Sequence, residues 1–276
     1  DGKGRPGRVE VREPVGSVDA SDIYGLLAAI TMIEARDKPC RSSIEPSPRI
    51  KPVAKMLDSL AALLVSKPKH EVLSTALRVH RTRVEVMVAD DGDVSESATA
   101  HLTWIWRSLR QISSRYRMLL RRAKGETTGW RLMDEDEILR SKVSELRRGC
   151  TKFSFAVVQK RVNKRFREFQ ETFEEFKSKE RHPFLPVLNS ILMLEALFTR
   201  EEGARYGKPA NEDTETWTLF VALLREATMS FYFFFLDGGF TPDELDRVGR
   251  FAKWESYLYK IGSILDNVDV LLYTAT

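Results

Sequence analysis

Along most of this chain apolar residues recur at intervals of three and four, the spacing that gathers side chains on one face of an α-helix. Ile23, Leu26, Leu27, Ile30 and Ile33 trace such a face over 21–36, and the same pattern predicts helices over 53–65 and 70–88. At the end of the latter, Val84, Val86 and Val88 alternate with a period of two, so a short strand is the alternative there. Asp90, Asp91, Gly92 and Asp93 make a turn. Ser95 or Ser97 is placed to cap a helix that reaches Lys124, and Gly125 suits its left-handed stop. Asp134, Glu135, Asp136 and Glu137 open the next helix, where the helix dipole favours negative charge, and Gly149 is its predicted end.

Two long helices carry seams. Over 152–181, Val162, Phe166, Phe169, Phe173 and Phe176 step by four and three, a heptad line built mostly of phenylalanine. The last helix opens at Thr241-Pro242-Asp243-Glu244, a capping box with proline at the first helical position. Along it Phe251, Trp254, Leu258, Ile261, Leu265, Val268 and Leu272 form a second seam. The expectation is that the two seams pack on one another in one core, with self-association through one of them as the alternative. Between them lie two segments with little polar face, 185–198 and 217–236, the second holding five consecutive aromatics from Phe231 to Phe235. A helix apolar all round is buried all round or sits in lipid.

These elements predict an all-α fold, a multi-helix bundle of about eight helices with two long heptad-seamed ones. Residues 1–18, rich in Gly, Pro and Arg, read as a flexible arm, and the four prolines between Asp37 and Pro52 make that stretch a loop. Residues 19–276 form a single helical domain in this reading, with 19–125 and 133–276 as candidate sub-bundles. At 276 residues, 42% apolar and 30% charged, the chain can bury a full core without disulfide or metal staples. Its two cysteines, Cys40 and Cys150, lack metal-ligand spacing and read as free thiols, which points to a reducing intracellular setting, cytoplasmic or nuclear. There is no apolar signal core near Asp1 and no unbroken run of 18 apolar residues.

Charge changes the picture more than composition does. The net charge is only +4, yet from Ser97 to Gly125 there is no acid, while Arg107, Arg110, Arg115, Arg117, Arg121, Arg122 and Lys124 are all cationic. From Leu146 to Arg167 there is again no acid and there are eight cations: Arg147, Arg148, Lys152, Lys160, Arg161, Lys164, Arg165 and Arg167. The rest of the chain therefore carries a net −11. On a helical wheel the first set falls within about half the circumference, opposite Leu102, Ile105, Leu109, Ile112, Tyr116, Leu119 and Leu120. Such a ridge can neutralise phosphates, arginine being suited to bidentate contacts. The blander expectation pairs these cations with acids of other helices, Glu135, Asp136, Glu168, Glu171, Glu174 and Glu175 among them. Lys160, Arg161, Lys164 and Arg165 match a nuclear-import signal in composition only, because Val162 and Phe166 beside them belong to a core face.

Catalytic chemistry is not signalled. His70, His80, His101 and His182 are scattered, and no Glu-x-x-His, Gly-x-Ser-x-Gly, phosphate-loop or dinucleotide pattern occurs. Gly203 to Pro209 has glycines but a proline where a phosphate loop requires Ser or Thr. Asp90, Asp91 and Asp93 read as a solvated turn rather than a cation site, and Asp266 with Asp269 lacks the second acidic cluster that metal-assisted chemistry would require. Glu195, Arg225 and Glu226 read as a buried pair or as the polar edges of two apolar helices. No cofactor, catalytic residue or metal ligand is assigned, and an enzyme is disfavoured. The expected role is a non-catalytic helical interaction or scaffold module that contacts a partner through its basic ridge or a seam. A protein is the first-ranked partner, and homo-oligomers through the seams are the self-associating variant. The alternatives are nucleic-acid binding through 104–124 and 152–167, and association with anionic lipid.

Overall fold

The computed structural model describes residues 51–67, 73–79, 84–90, 93–122, 135–177, 185–199, 214–236 and 251–276. The predicted arm, the helix over 21–36, the boundary at Gly125–Met133, the glycine loop at 203–209 and the Thr241 capping box lie outside them. Among the described residues the fold is mostly helical: α1 (Lys51–Leu63), β1 (Ser74–Val79), β2 (Val84–Ala89), α2 (Glu96–Arg122), α3 (Glu137–Phe153), α4 (Phe155–Lys177), α5 (Leu185–Thr199), α6 (Thr214–Leu236) and α7 (Phe251–Ala275). No described helix is long and apolar enough to cross a membrane.

The last helix organises the others, for α7 packs against α1, α2, α3, α4 and α6. The seam positions Leu258, Ile261, Leu265, Val268 and Leu272 are all buried. So are Tyr257, Ile264 and Leu271, which lie off that line and widen the buried arc beyond a two-helix seam. A helix with neighbours on several sides needs a broad apolar arc. Val162 and Phe169 of α4 join the same cluster, with Tyr257 donating a hydrogen bond to the Val162 carbonyl at 2.7 Å.

Four expectations are corrected. Within the predicted helix 70–88, the described residues 74–79 and 84–88 are not helical but belong to strands β1 and β2, which pair antiparallel with Thr75 opposite Val88, Leu77 opposite Val86 and Val79 opposite Val84. These β-branched and apolar pairs share one sheet face, Val88 reaches the core, and the Thr75 hydroxyl donates to the Leu57 carbonyl of α1 at 2.7 Å. Pro52 is helical rather than the end of a loop, since the first turn of a helix tolerates a residue without an N–H. Gly149 does not end its helix. A Cβ placed there would come within 2.1 Å of the Trp104 ring, so this glycine lets α2 and α3 approach, and α3 runs on to Phe153. The break falls at Ser154, whose hydroxyl donates to the Val65 carbonyl, and α4 starts one residue later.

The fourth correction concerns the two apolar helices, which are not buried all round. α5 buries Val187, Ile191 and Leu194 but exposes Asn189, Met193 and Ala196. α6 buries Trp217, Phe220, Leu223, Leu224 and Ala227 but exposes Leu219, Ala222 and Met229. α5 has its packing neighbours, α4 and α6, on one flank, and scattered apolar side chains at a surface are ordinary. Arg225 and Glu226 are exposed and mark the polar edge of α6, while Glu195 is half-buried and burial raises its pKa.

Gly149→Ala separates propensity from packing. Propensity alone would stabilise α3 by about 0.5–1 kcal/mol. Overpacking against Trp104, held in place by its stack on His101, is expected to cost about 1–3 kcal/mol. Thermal unfolding should therefore show a lower Tm for Gly149→Ala, restored in part by adding Trp104→Leu; a raised Tm would contradict the close approach.

Candidate basic surface on α2

α2 starts where Ser95 accepts the Ala98 amide, and α3 starts where Asp136 accepts the Leu139 amide at 2.8 Å, each an N-cap satisfying an otherwise orphaned donor. The two helices then run antiparallel, as four contacts along them record. His101 stacks on Phe153 with ring centroids 3.9 Å apart. Trp104 lies over Gly149. Lys142 donates to the Gln111 side-chain oxygen at 2.6 Å. Arg115 grips Asp136 through both carboxylate oxygens, at 3.2 and 2.6 Å. As the α2 number rises the α3 number falls.

This pairing sorts the α2 cations. Arg115 is committed to Asp136, and its hydrogen bond is the main cause holding that carboxyl below its usual range. Arg122 lies on the same flank and adds to that effect. Arg107, Arg110, Arg117 and Arg121 fall within an arc of about 80° at 100° per residue, centred about 110° around the helix from Arg115 and Arg122. With Ser114 they step by three and four, so they form one line about 21 Å long. Arg107, Arg110 and Arg121 are exposed and Arg117 is half-buried. Leu102, Ile105, Ile112 and Tyr116 anchor the reverse side in the core. Lys124 lies outside the described residues.

The second tract is differently disposed. Arg161 is half-buried and donates to the Lys260 carbonyl at 2.6 Å and to the Ser263 hydroxyl at 3.0 Å, clamping α4 to α7. Arg147 donates twice to one oxygen of Asp269, at 3.2 and 2.8 Å, clamping α3 to α7. Lys152 sits over the Trp217 ring, 6.0 Å from its centroid. Arg165 and Arg167 have acids of their own helix nearby, Glu168 at 3.9 Å and Glu171 at 4.0 Å. Lys160 and Lys164 are exposed. α2 packs on α3 and α7, whereas α4 packs on α5 and α7, so the α4 part of the second tract has no extensive interface with α2, while Arg147, Arg148 and Lys152 stand on α3, which packs on it.

Titratable groups elsewhere have structural settings. Asp266 is half-buried, and its pKa is raised first by burial and then by the like charge of Asp269, with Lys55 acting against both. Cys150 is free and fully buried, which pushes its thiol pKa up and disfavours the reactive thiolate. Among the described residues no group of three His, Cys, Asp or Glu is placed to hold a metal ion. Compared with family models, curated proteins and solved structures, the chain matches none.

The missed residue is His101, which reads in sequence as one of four scattered histidines. It lies between Trp104 and Phe153, its Nε2 has no hydrogen-bond partner among the described residues, and desolvation lowers its pKa to about 4. The folded value lies below the unfolded one, so protonation favours the unfolded chain. This residue's share of stability is intact above about pH 6.5 and is lost as the pH falls toward 4, up to roughly 3 kcal/mol. Denaturant titrations between pH 4 and 7 should show that slope in the wild type and a flatter one in His101→Phe; identical slopes would contradict the buried neutral imidazole.

Proposed function

We propose that this chain is a non-catalytic helical interaction module whose contact surface is the arginine ridge of α2, with an anionic partner. One observation carries the reading: Arg107, Arg110 and Arg121 are exposed on one line of a helix whose reverse side is anchored in the core. Rigid anchorage matters because guanidiniums presented on a fixed backbone lose less freedom on binding than those on a mobile segment. The seams are less suited to the task. Leu258, Ile261, Leu265, Val268 and Leu272 are already buried within the chain, so contact through that seam would require opening the core.

The test uses the full chain as bait. A partner should be recovered by the wild type, lost by R107E/R110E/R121E, and retained by K160E/K164E/R167E, whose changes fall on α4. Retention by the ridge variant together with loss by the α4 variant would overturn the assignment. Matching circular dichroism and Tm values would show that the variants remain folded.

A further inference from the structure

We infer that the outer edge of β2 pairs with the same edge of a second copy of this chain, so that two hairpins form one four-stranded antiparallel sheet, an inference independent of the α2 ridge. Ser74 to Val79 pair with Ala89 to Val84 without a bulge, and among the described residues the sheet holds only these two strands. α1 packs on β1, where Thr75 donates to the Leu57 carbonyl, while no described helix packs extensively on β2. An edge strand offers a row of backbone N–H and C=O groups to an incoming strand, and edges that avoid such pairing carry Lys, Pro or a bulge. Val84-Glu85-Val86-Met87-Val88-Ala89 has none of these, and Glu85 is its only charge. Half of the strand is valine, which favours extended pairing. Met87 is 38% exposed, on the face away from buried Val88.

The charges flanking the strand select a second copy as its occupant, in antiparallel order. Arg81 and Arg83 precede β2 in the chain, and Asp91 and Asp93 follow it. Antiparallel pairing brings the basic start of each strand beside the acidic end of the other, whereas parallel pairing would set like charges together. A strand from another protein would need this same charge order, which the chain itself already carries. Symmetry then narrows the register. The two-fold axis relating antiparallel neighbours stands perpendicular to the sheet, so both copies keep the face of Val86 and Val88 on the same side. Opposed residue numbers therefore differ by an even number. Centring the axis on Met87 sets Met87 opposite Met87, Val86 opposite Val88 and Glu85 opposite Ala89, and brings Arg83 level with Asp91. Centring it on Val86 would bring Arg83 level with Ala89 instead, so the charges favour Met87.

The experiment is sedimentation velocity of the full chain between about 1 and 100 μM. The wild type should pass from monomer toward dimer as its concentration rises. Met87→Lys and Met87→Glu each set like charges face to face on the axis, and each should weaken the dimer at least about 10-fold. Mixed in equal amounts, the two variants set opposite charges there, and the dimer should return. Met87 lies on the outer face of the hairpin, so circular dichroism and Tm should match the wild type in both variants. R107E/R110E/R121E should leave the dimer unchanged, which separates this edge from the α2 ridge. A wild type that stays monomeric across the range would overturn the inference, whether β2 then takes a strand of another protein or none. So would a dimer that tolerates Met87→Lys, a dimer lost on ridge reversal, or variants that fail to associate on mixing.

Discussion

Burial of α7 is the constraint on which the rest depends. Five of the other six described helices pack against it, and its buried arc, from Tyr257 through Leu272, meets the apolar faces of each. Gly262 allows a close approach of α6, since a Cβ there would come within 2.1 Å of the Thr228 hydroxyl. The polar links around α7 follow from the same centrality. Arg147, Arg161 and Val162 each hydrogen-bond to it from other helices, so their partners lie roughly 95–122 residues away in sequence. A domain tied together by such distant contacts loses much of its core if this one helix is displaced.

The antiparallel pairing of α2 with α3 has a different consequence. It sets Arg115 beside Asp136, where it takes part in closing the helix pair, while Arg107, Arg110, Arg117 and Arg121 follow a neighbouring line of α2. The geometry that does this comes from small and aromatic residues, Gly149 under Trp104 and Phe153 on His101, rather than from the charges. A buried imidazole stacked on Trp104 and Phe153 is a costly place for a proton, so His101 packs as a neutral aromatic core residue.

How much of this was legible along the chain depends on the element. The seam positions of α7 and the apolar reverse of α2 follow from periodicity, because a stripe repeated every three or four residues has one low-energy disposition. The hairpin was legible only in part. Val84, Val86 and Val88 alternate visibly, but Ser74 to Val79 mixes Ala, Leu and Arg, which suit a helix equally well, and pairing with β2 decided between them. Gly149 was misread because glycine serves both as a helix stop and as a site of close approach, and only a neighbour such as Trp104 distinguishes the two.

Sequence by itself determined the helical class, the apolar faces, and the segregation of positive charge into two tracts, because each is a property of neighbours along one chain. Tertiary structure alone decided which cations are held. Arg161 and Arg147 clamp helices to α7, Arg115 closes α3 on α2, and Arg107, Arg110 and Arg121 lie exposed along α2. The physical reason is that pairing depends on distance in space. The acids and carbonyls that hold these arginines stand between 21 and 122 residues away, at separations that no local pattern encodes.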